Sequence, residues 1–379
     1  MKKIVFVAGD KSGDVYAGLL SQELKEQFKN NIAIYSFGGE SLAQHSQQLL
    51  DLVKHSVSGI FEVARHFREI LNVFRFILDR IRQLKPDLVI LVDFPDFNLR
   101  LAKELHGKFP LFYYISPQVW AWRKKRVHDI KKFVEKIIVL FEFEERLYRQ
   151  AGVDVCYFGH PLLEIIARGL PSDPPQSTPD NTILLMPGSR KNEIARHLPV
   201  MLSAKKIIEK QLPDYRFKIV RPENIPEHFY LSMMPCSLPM IRHSYQDMAG
   251  ARFIITSSGT ATLEIAILGT PFLIIYKVNL ATWVILKNIV HIDFIGMPNI
   301  IAGKEIAKEL VQFQATPTQI ASFTLKMLRD ENAYLNIKHE LQAIKDRLRP
   351  QSALTNTAGF LGKYLGLKQS HTSHDTRHT

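Results

Sequence analysis

Short apolar runs, each opening into a Gly-, Ser- or Asp-bearing turn and then a stretch of helical periodicity, recur along this chain. That alternation admits few folds, because a parallel sheet with crossover helices is the arrangement that covers both faces of such strands. In the first half the runs are Lys3 to Ala8, Ile32 to Gly38, Leu88 to Val92, Leu111 to Ile115, Lys136 to Leu140 and Val155 to Phe158. A Pro-, Ser-, Asp- and Gln-rich stretch from Pro171 to Asn181 has no apolar periodicity and reads as a linker. Strands resume at Ile183 to Met186, Phe217 to Val220, Phe253 to Thr256 and Phe272 to Tyr276. The expected fold class is therefore α/β, with two Rossmann-like doubly wound parallel-sheet domains, 1–170 and 182–345, facing a cleft across the linker 171–181. A helical stretch, 346–368, and a Ser-, Thr- and His-rich tail, 369–379, expected to be disordered, follow.

Two cores need apolar surface, and 379 residues with 46% hydrophobic and 23% charged side chains supply it without the composition of a disordered or membrane-embedded chain. Met1 to Ala8 passes from two lysines straight into a strand, lacking the apolar region and cleavage site of an export signal, so a cytoplasmic location is expected. Cys156 and Cys236 are isolated, which argues against a disulfide framework or a zinc site. His371, His374 and His378 can bind metal, but a solvated terminus accounts for them. Lys plus Arg exceed Asp plus Glu by 49 to 37, a formal charge of +12 that suits polyanionic partners. With no zinc-finger spacing, RNA-recognition signature or long basic run, nucleic acid is not expected among them, which leaves anionic lipid and phosphorylated substrates.

In open parallel sheets ligands bind beyond the carboxyl ends of the strands, so the turns there carry the chemistry. Gly9-Asp10-Lys11-Ser12-Gly13-Asp14 opens a helix whose free N–H groups can meet an anion or a sugar hydroxyl, unless Ser12 or Asp14 simply caps it. Lys85-Pro86-Asp87 precedes the strand Leu88 to Val92, and Asp93-Phe94-Pro95-Asp96-Phe97-Asn98 follows it. A carboxylate there can take the proton of an acceptor hydroxyl, with Asp96 the candidate base; helix capping explains one of the three polar residues but not all. Ser116 to Arg126 sets Trp120 and Trp122 beside four cations, either to hold acyl chains and phosphate or to pack one ring inward. Met186-Pro187-Gly188-Ser189-Arg190 ends a strand with an arginine fork that can grip a diphosphate. Thr256 to Glu264 reads as a phosphate seat, with Ser258, Gly259 and Thr260 at a helix start and Glu264 one turn in, able to accept ribose hydroxyls. Pro298-Asn299-Ile300-Ile301-Ala302-Gly303 reads as a loop able to contact a base.

Phe67, Ile70, Leu71, Phe74, Leu78 and Ile81 form one helical stripe ringed by Arg65, Arg68, Arg75, Arg80 and Arg82. Such a stripe faces either the core or a bilayer, and Phe76, on the opposite face among the arginines, keeps the second reading open. The apolar run Leu280 to Ile295 is interrupted by Lys287, His291 and Asp293, which argues against a membrane span.

The succession G-D-K-S-G-D, K-P-D, D-F-P-D-F-N, S-P-Q-V-W-A-W-R, P-G-S-R, S-S-G-T-A-T-L-E and M-P-N-I-I-A-G resembles the lipid-A-disaccharide synthase family from the first strand to about residue 310. The resemblance implies a GT-B fold, UDP-2,3-diacylglucosamine as donor and 2,3-diacylglucosamine 1-phosphate as acceptor. It also implies inverting transfer to a β-1,6 disaccharide, and a carboxyl-terminal helix that returns to the first domain. By motif position Asp96 matches the family's catalytic aspartate and Asp87 a second important acid, while Arg190, Glu264 and Asn299 match donor-binding residues. Asp10 stands where the family has Glu in G-E-A-S-G-D, and Lys11 replaces a small residue, so Asp10 ranks below Asp96 as base. Acceptor contacts are expected at Ser12, Asp14, Asn98, Trp122 and Arg123.

No Asp-x-Asp seat accompanies the second domain, so neither metal nor another cofactor is expected, Asp93-x-x-Asp96 being the nearest approach to one. The diacylated substrates imply peripheral binding to the anionic cytoplasmic face of the inner membrane, and a homodimer stays open. Two alternatives remain at this point: a GT-B transferase acting on another lipid acceptor, and a non-catalytic sugar-nucleotide or lipid-binding module. An oxidoreductase is disfavoured because no G-x-G-x-x-G follows the first strand.

Overall fold

The computed structural model describes residues 1–57, 63–117, 119, 126–171, 180–223, 225–234, 238–279, 283 and 293–368. The chain forms two compact units, one of Met1–Pro161 with the chain from Arg349 onward, the other of Leu162–Leu348.

The first unit is built on seven parallel strands, β1 (Lys2–Ala8), β2 (Ile32–Gly38), β3 (Gln47–Asp51), β4 (Leu88–Val92), β5 (Leu111–Tyr114), β6 (Lys136–Val139) and β7 (Val155–Tyr157). Their order across the sheet is β3-β2-β1-β4-β5-β6-β7. Its helices are α1 (Lys11–Phe28), α2 (Glu40–Ala43), α3 (Leu52–Val57), α4 (Val63–Leu84), α5 (Pro95–Leu105), α6 (Arg126–Phe133) and α7 (Glu142–Gln150). The second unit starts with α8 (Leu162–Gly169) and carries six parallel strands in the order β10-β9-β8-β11-β12-β13. These are β8 (Asp180–Met186), β9 (Arg216–Arg221), β10 (Met240–Arg242), β11 (Ala251–Ser257), β12 (Phe272–Tyr276) and β13 (Lys308–Val311). Its further helices are α9 (Lys191–Gln211), α10 (Glu227–Leu231), α11 (Tyr245–Gly250), α12 (Ala261–Leu268), α13 (Met297–Ala302), α14 (Pro317–Arg329) and α15 (Glu331–Arg347). The last helix, α16 (Ala353–Tyr364), belongs to the first unit.

The central strands are buried from end to end, Leu88–Val92 at 0% exposure throughout, so their apolar runs are continuous rather than alternating. In both sheets the order reverses direction once, between β1 and β4 and between β8 and β11. At such a switch point the flanking turns diverge and leave a crevice beyond the strand ends.

The division lies at Pro161, earlier than the Pro171 to Asn181 stretch, because α8 packs on α12 and Gly169 lies under the Tyr245 ring, where a Cβ would come within 2.6 Å. Residues 172–179 of that stretch and the tail from Gln369 lie outside the described residues. In the first unit α16 lies on α1, with Gly362 against Phe28 and with Phe360 and Tyr364 on Phe112. In the α4 stripe, Leu78 and Ile81 are buried with Ile77, and Leu71 and Phe74 half-buried, so this half faces the core. Ile70 and Phe76 are exposed, and the side chains of Arg65, Phe67 and Arg68 lie outside the description. No helix among the described residues is long and apolar enough to cross a membrane.

His160, just past β7, is sealed between the rings of Tyr16 and Phe141 at 6.1 and 5.1 Å. Burial pushes its pKa down to about 3. The unfolded chain therefore binds a proton below about pH 6.5 that the folded chain refuses, and stability falls as pH drops from there towards 3. At pH 5 the loss is about 2 kcal/mol. The melting temperature of His160→Gln is expected to fall less between pH 7 and pH 5 than that of the native chain; an equal fall would place the acid sensitivity elsewhere.

Candidate functional site

At the switch point of the first unit, Ala8 and Val92 are register partners, and the turns beyond them carry Gly9-Asp10 and Asp93-Phe94. The two turns touch: a Cβ at Gly9 would sit 2.2 Å from the Phe94 ring, so only glycine fits there. Asp93 and Phe94 are both left-handed, with φ of 43° and 48°. Consecutive non-glycine residues in that region store strain, which the surrounding hydrogen bonds must hold. Asp93 N–H donates to Tyr114 O, and Asp93 O accepts from Tyr113 Oη and Asn98 Nδ2.

Asn98 Nδ2 also donates to Val7 O and Val92 O, so this fully buried amide staples the ends of β1 and β4. That corrects the expectation that Asn98 contacts an acceptor. Asp14 is likewise internal, accepting from the amides of Gly39, Ser41 and Leu42 at the start of α2, and is not an acceptor contact. Asp87 lies at the opposite end of β4, about 20 Å from Asp93 at the rise of a strand. There it accepts from Lys2 Nζ and Lys3 N–H. Although burial pushes its carboxyl up, these donors hold it below the usual range. Asp87 thus clamps β1 at the end of the strand away from the switch-point turns. Ser12 is exposed in the first turn of α1, and Trp122 and Arg123 lie outside the described residues.

Three acids therefore gather at this end. Asp10 caps α1 by accepting from Gly13 N–H on Oδ2, while its buried Oδ1 has no partner among the described residues. Its pKa is raised, first by burial and then by the Asp14 charge. Asp93 is pushed up to about 7 by burial and then by the Asp10 charge. Asp96, in the first turn of α5, has a side chain 71% exposed and receives Arg126 Nη2 at 2.5 Å. Arg126 itself is mostly buried at the start of α6.

At the switch point of the second unit, the turn after β8 carries Arg190 and the turn after β11 carries Ser258, Gly259 and Thr260. Gly188 has φ 127°, and a Cβ there would press on Glu193. Glu193 accepts from Ser189 N–H and from Arg190 Nη1, yet the Arg190 side chain stays 81% exposed and can reach a ligand. His197 sets this turn: Lys277 N–H donates to its Nε2, so Nδ1 carries the proton and donates to Pro187 O. Gly259 and Thr260 are exposed ahead of α12, and their carbonyls accept from the amides of Thr262, Leu263 and Glu264 in its first turn. Glu264 is held by His243 Nε2 at 2.9 Å and by Tyr245 Oη at 3.5 Å. That hydrogen bond to Glu264 raises the His243 pKa.

Asn299 is the last correction. It is 0% exposed, its Nδ2 donates to Ala307 O and Glu309 Oε1, and its Oδ1 accepts from the amides of Ile306 and Ala307. Nothing is left for a nucleotide base. Glu309 accepts in addition from the Ile295 and Gly296 amides, and Ser258 Oγ donates to Ile295 O, so the pair shapes the loop that tethers the phosphate seat.

His197 and His243 left no signal in the sequence, while Asp93 and Arg126 appeared there only as one of two carboxylates after β4 and one of four cations leading into α6.

The family described as lipid-A-disaccharide synthetase matches residues 4–358. A lipid-A-disaccharide synthase of Syntrophus aciditrophicus is 39% identical over 366 residues, covering 92% of this chain and 94% of that one. One from Coxiella burnetii is 33% identical, covering 94% and 97%. Among solved structures, a Neisseria meningitidis UDP-GlcNAc 2-epimerase bound to UDP-GlcNAc superposes with TM-score 0.63 at 14% identity, covering 96% of this chain and all of that one. The calicheamicin glycosyltransferase CalG4 does so with TM-score 0.63 at 15% identity, covering 97% and 98%. These likenesses show the fold, two parallel-sheet units of the GT-B kind. The match along nearly the whole length, with motifs at both switch points, shows that the chain belongs to the lipid-A-disaccharide synthase family.

Proposed function

We propose that this glycosyltransferase moves 2,3-diacylglucosamine from its UDP ester to 2,3-diacylglucosamine 1-phosphate, giving a β-1,6 disaccharide 1-phosphate and UDP. The observation that carries this reading is that each unit keeps different chemistry at its own switch point. The first has an exposed carboxylate, Asp96, on a mostly buried arginine. The second has an exposed arginine, a small-residue helix start and, one turn in, a carboxylate. The first suits a hydroxyl that must lose a proton, and the second a nucleoside diphosphate that must gain charge.

In the proposed step, Asp96 takes the proton of the acceptor 6-hydroxyl as that oxygen bonds to the donor anomeric carbon from the face opposite UDP. The bond between that carbon and the diphosphate oxygen breaks, and its electron pair leaves with UDP. Arg190 and the exposed Gly259–Thr260 start of α12, at the positive end of the helix, stabilise the charge that builds there. Glu264 accepts the ribose hydroxyls. Exposed Ile70 and Phe76, on a helix that also exposes Arg75 and Arg82, support contact with an anionic cytoplasmic membrane face.

Purified protein with both lipids in mixed micelles should release UDP and disaccharide together, followed by mass spectrometry. UDP binding without disaccharide would point to a different acceptor lipid. Arg190→Ala is expected to lower kcat/KM for the donor by about 10- to 100-fold, the range of one charge-assisted contact. The acceptor KM should stay unchanged, and Arg190→Lys should recover part of the loss. An unaltered donor kcat/KM would remove Arg190 from the diphosphate site.

A further inference from the structure

The proposed donor site gives Glu264 the ribose hydroxyls but does not account for the two side chains that hold its carboxylate, His243 and Tyr245. Neither lies on α12. His243 stands between β10 and α11, and Tyr245 opens α11. A glutamate in a first turn needs no such partners, because water and the positive helix start already suit it. Here the Glu264 side chain is only 15% exposed, and donors from a separate segment reach it.

The segment that supplies them is itself fixed. Ser244 caps α11 by accepting from Asp247 N–H, and Thr270 Oγ1 donates to Met248 O, which ties α11 to the turn after α12. The Tyr245 ring stands edge-on to the His243 ring at 5.1 Å and is seated on Gly169 of α8, where no side chain fits beneath it. From this frame His243 Nε2 donates to Glu264 Oε2 at 2.9 Å, and Tyr245 Oη donates to Oε1 at 3.5 Å. Each carboxylate oxygen thus has one protein donor. A carboxylate offers about four acceptor positions, two on each oxygen. One on each oxygen is left, which is the pattern that two vicinal hydroxyls fill.

We propose that His243, with Tyr245 as the lesser support, is a positioning residue for the donor: it locks the Glu264 carboxylate for both ribose hydroxyls and so selects a ribonucleotide over its 2′-deoxy counterpart. An unheld carboxylate would turn about its last bond and would have to give up that freedom on binding. The hydrogen bond to Glu264 raises the His243 pKa, in keeping with a ring that holds its Nε2 proton firmly towards the carboxylate. This inference rests on the proposed role of Glu264 at the ribose.

The test is calorimetric binding of UDP and of 2′-deoxy-UDP to the full-length protein. A hydroxyl bonded to a charged acceptor is worth about tenfold to a hundredfold in affinity, and the native chain should prefer UDP by that ratio. In His243→Ala the preference is expected to fall to within about threefold, mostly through weaker UDP binding. His243→Gln, whose side-chain amide can still donate to Oε2, should recover most of it. Tyr245→Phe keeps the ring on Gly169 and loses one long bond, so it should cost about twofold to threefold of the preference. A folded His243→Ala that keeps the native preference overturns the proposal, whether its affinities are native or equally weakened, since a merely structural role would weaken both nucleotides alike. Glu264→Ala separates this failure from that of the donor site. If Glu264→Ala loses the preference while His243→Ala keeps it, Glu264 meets the ribose and only this inference falls. If Glu264→Ala keeps the preference, or the native chain has none, the placement of the ribose falls and this inference with it.

Discussion

Asp96→Asn is expected to slow disaccharide formation by about a hundredfold to ten-thousandfold, the usual weight of a general base, with UDP affinity unchanged. The substitution is nearly isosteric, and the Asp96 side chain is 71% exposed, so the fold should not suffer. What disappears is the acceptor for the hydroxyl proton. Arg126 loses the carboxylate it bonds, and a neutral amide cannot hold the proton at any pH. Single-turnover measurement with bound donor separates this from substrate binding, since the chemical step should slow while the donor still saturates. A folded variant within a few fold of the native rate would remove Asp96 as the base.

Asn299→Ala is expected to cost stability rather than donor affinity. The native amide satisfies Ile306 N–H, Ala307 N–H, Ala307 O and one oxygen of Glu309, all in a fully buried site. Truncation takes their partner from the Ile306 and Ala307 amides and from Ala307 O, Glu309 Oε1 keeping the Gly296 N–H, and orphaned buried polar groups cost about 1 to 3 kcal/mol each before relaxation. A net loss of about 3 to 5 kcal/mol is therefore expected, a large share of the roughly 5 to 15 kcal/mol that ordinary domains possess. Denaturant unfolding should show the transition of the second unit moved while that of the first stays put. Asn299→Asp should do no better, because it would place a second carboxylate beside Glu309. An Asn299→Ala protein with native stability and weakened UDP binding would return Asn299 to the ligand.

His160 and Asp93 pull the pH behaviour of the fold in opposite directions. His160, with its pKa lowered, removes stability as pH falls below about 6.5. Asp93, with its pKa raised, contributes stability that is fully present below about pH 3.8 and is lost as pH rises through about 7.

Much of this architecture follows from the sequence alone. Strands buried on both faces must be written as unbroken apolar runs, and Leu88–Val92 or Phe272–Tyr276 read as strands in any setting. The strands not anticipated are β3, β10 and β13, and each is an edge of its sheet. Edge strands meet solvent on one side, so Gln47–Asp51 and Lys308–Val311 mix polar with apolar residues and carry no distinctive pattern. The turns after the core strands were equally legible, since a sheet of this kind can bind ligands only beyond its carboxyl ends.

Only the tertiary structure decided what the polar residues in those turns do. A sequence states which bonds Asp14, Asn98, Asp87 and Asn299 can make, but not whether the partners are backbone amides of their own unit or atoms of a ligand. Asp87 shares a motif with a strand whose useful end is the other one, and Asn299 and Asp14 are fully occupied by segments that fold back on them. Proton affinity is a tertiary property for the same reason. Asp93 and Asp10 are 83 positions apart in the chain, and neither is unusual until β1 and β4 pair in register and withdraw both from water.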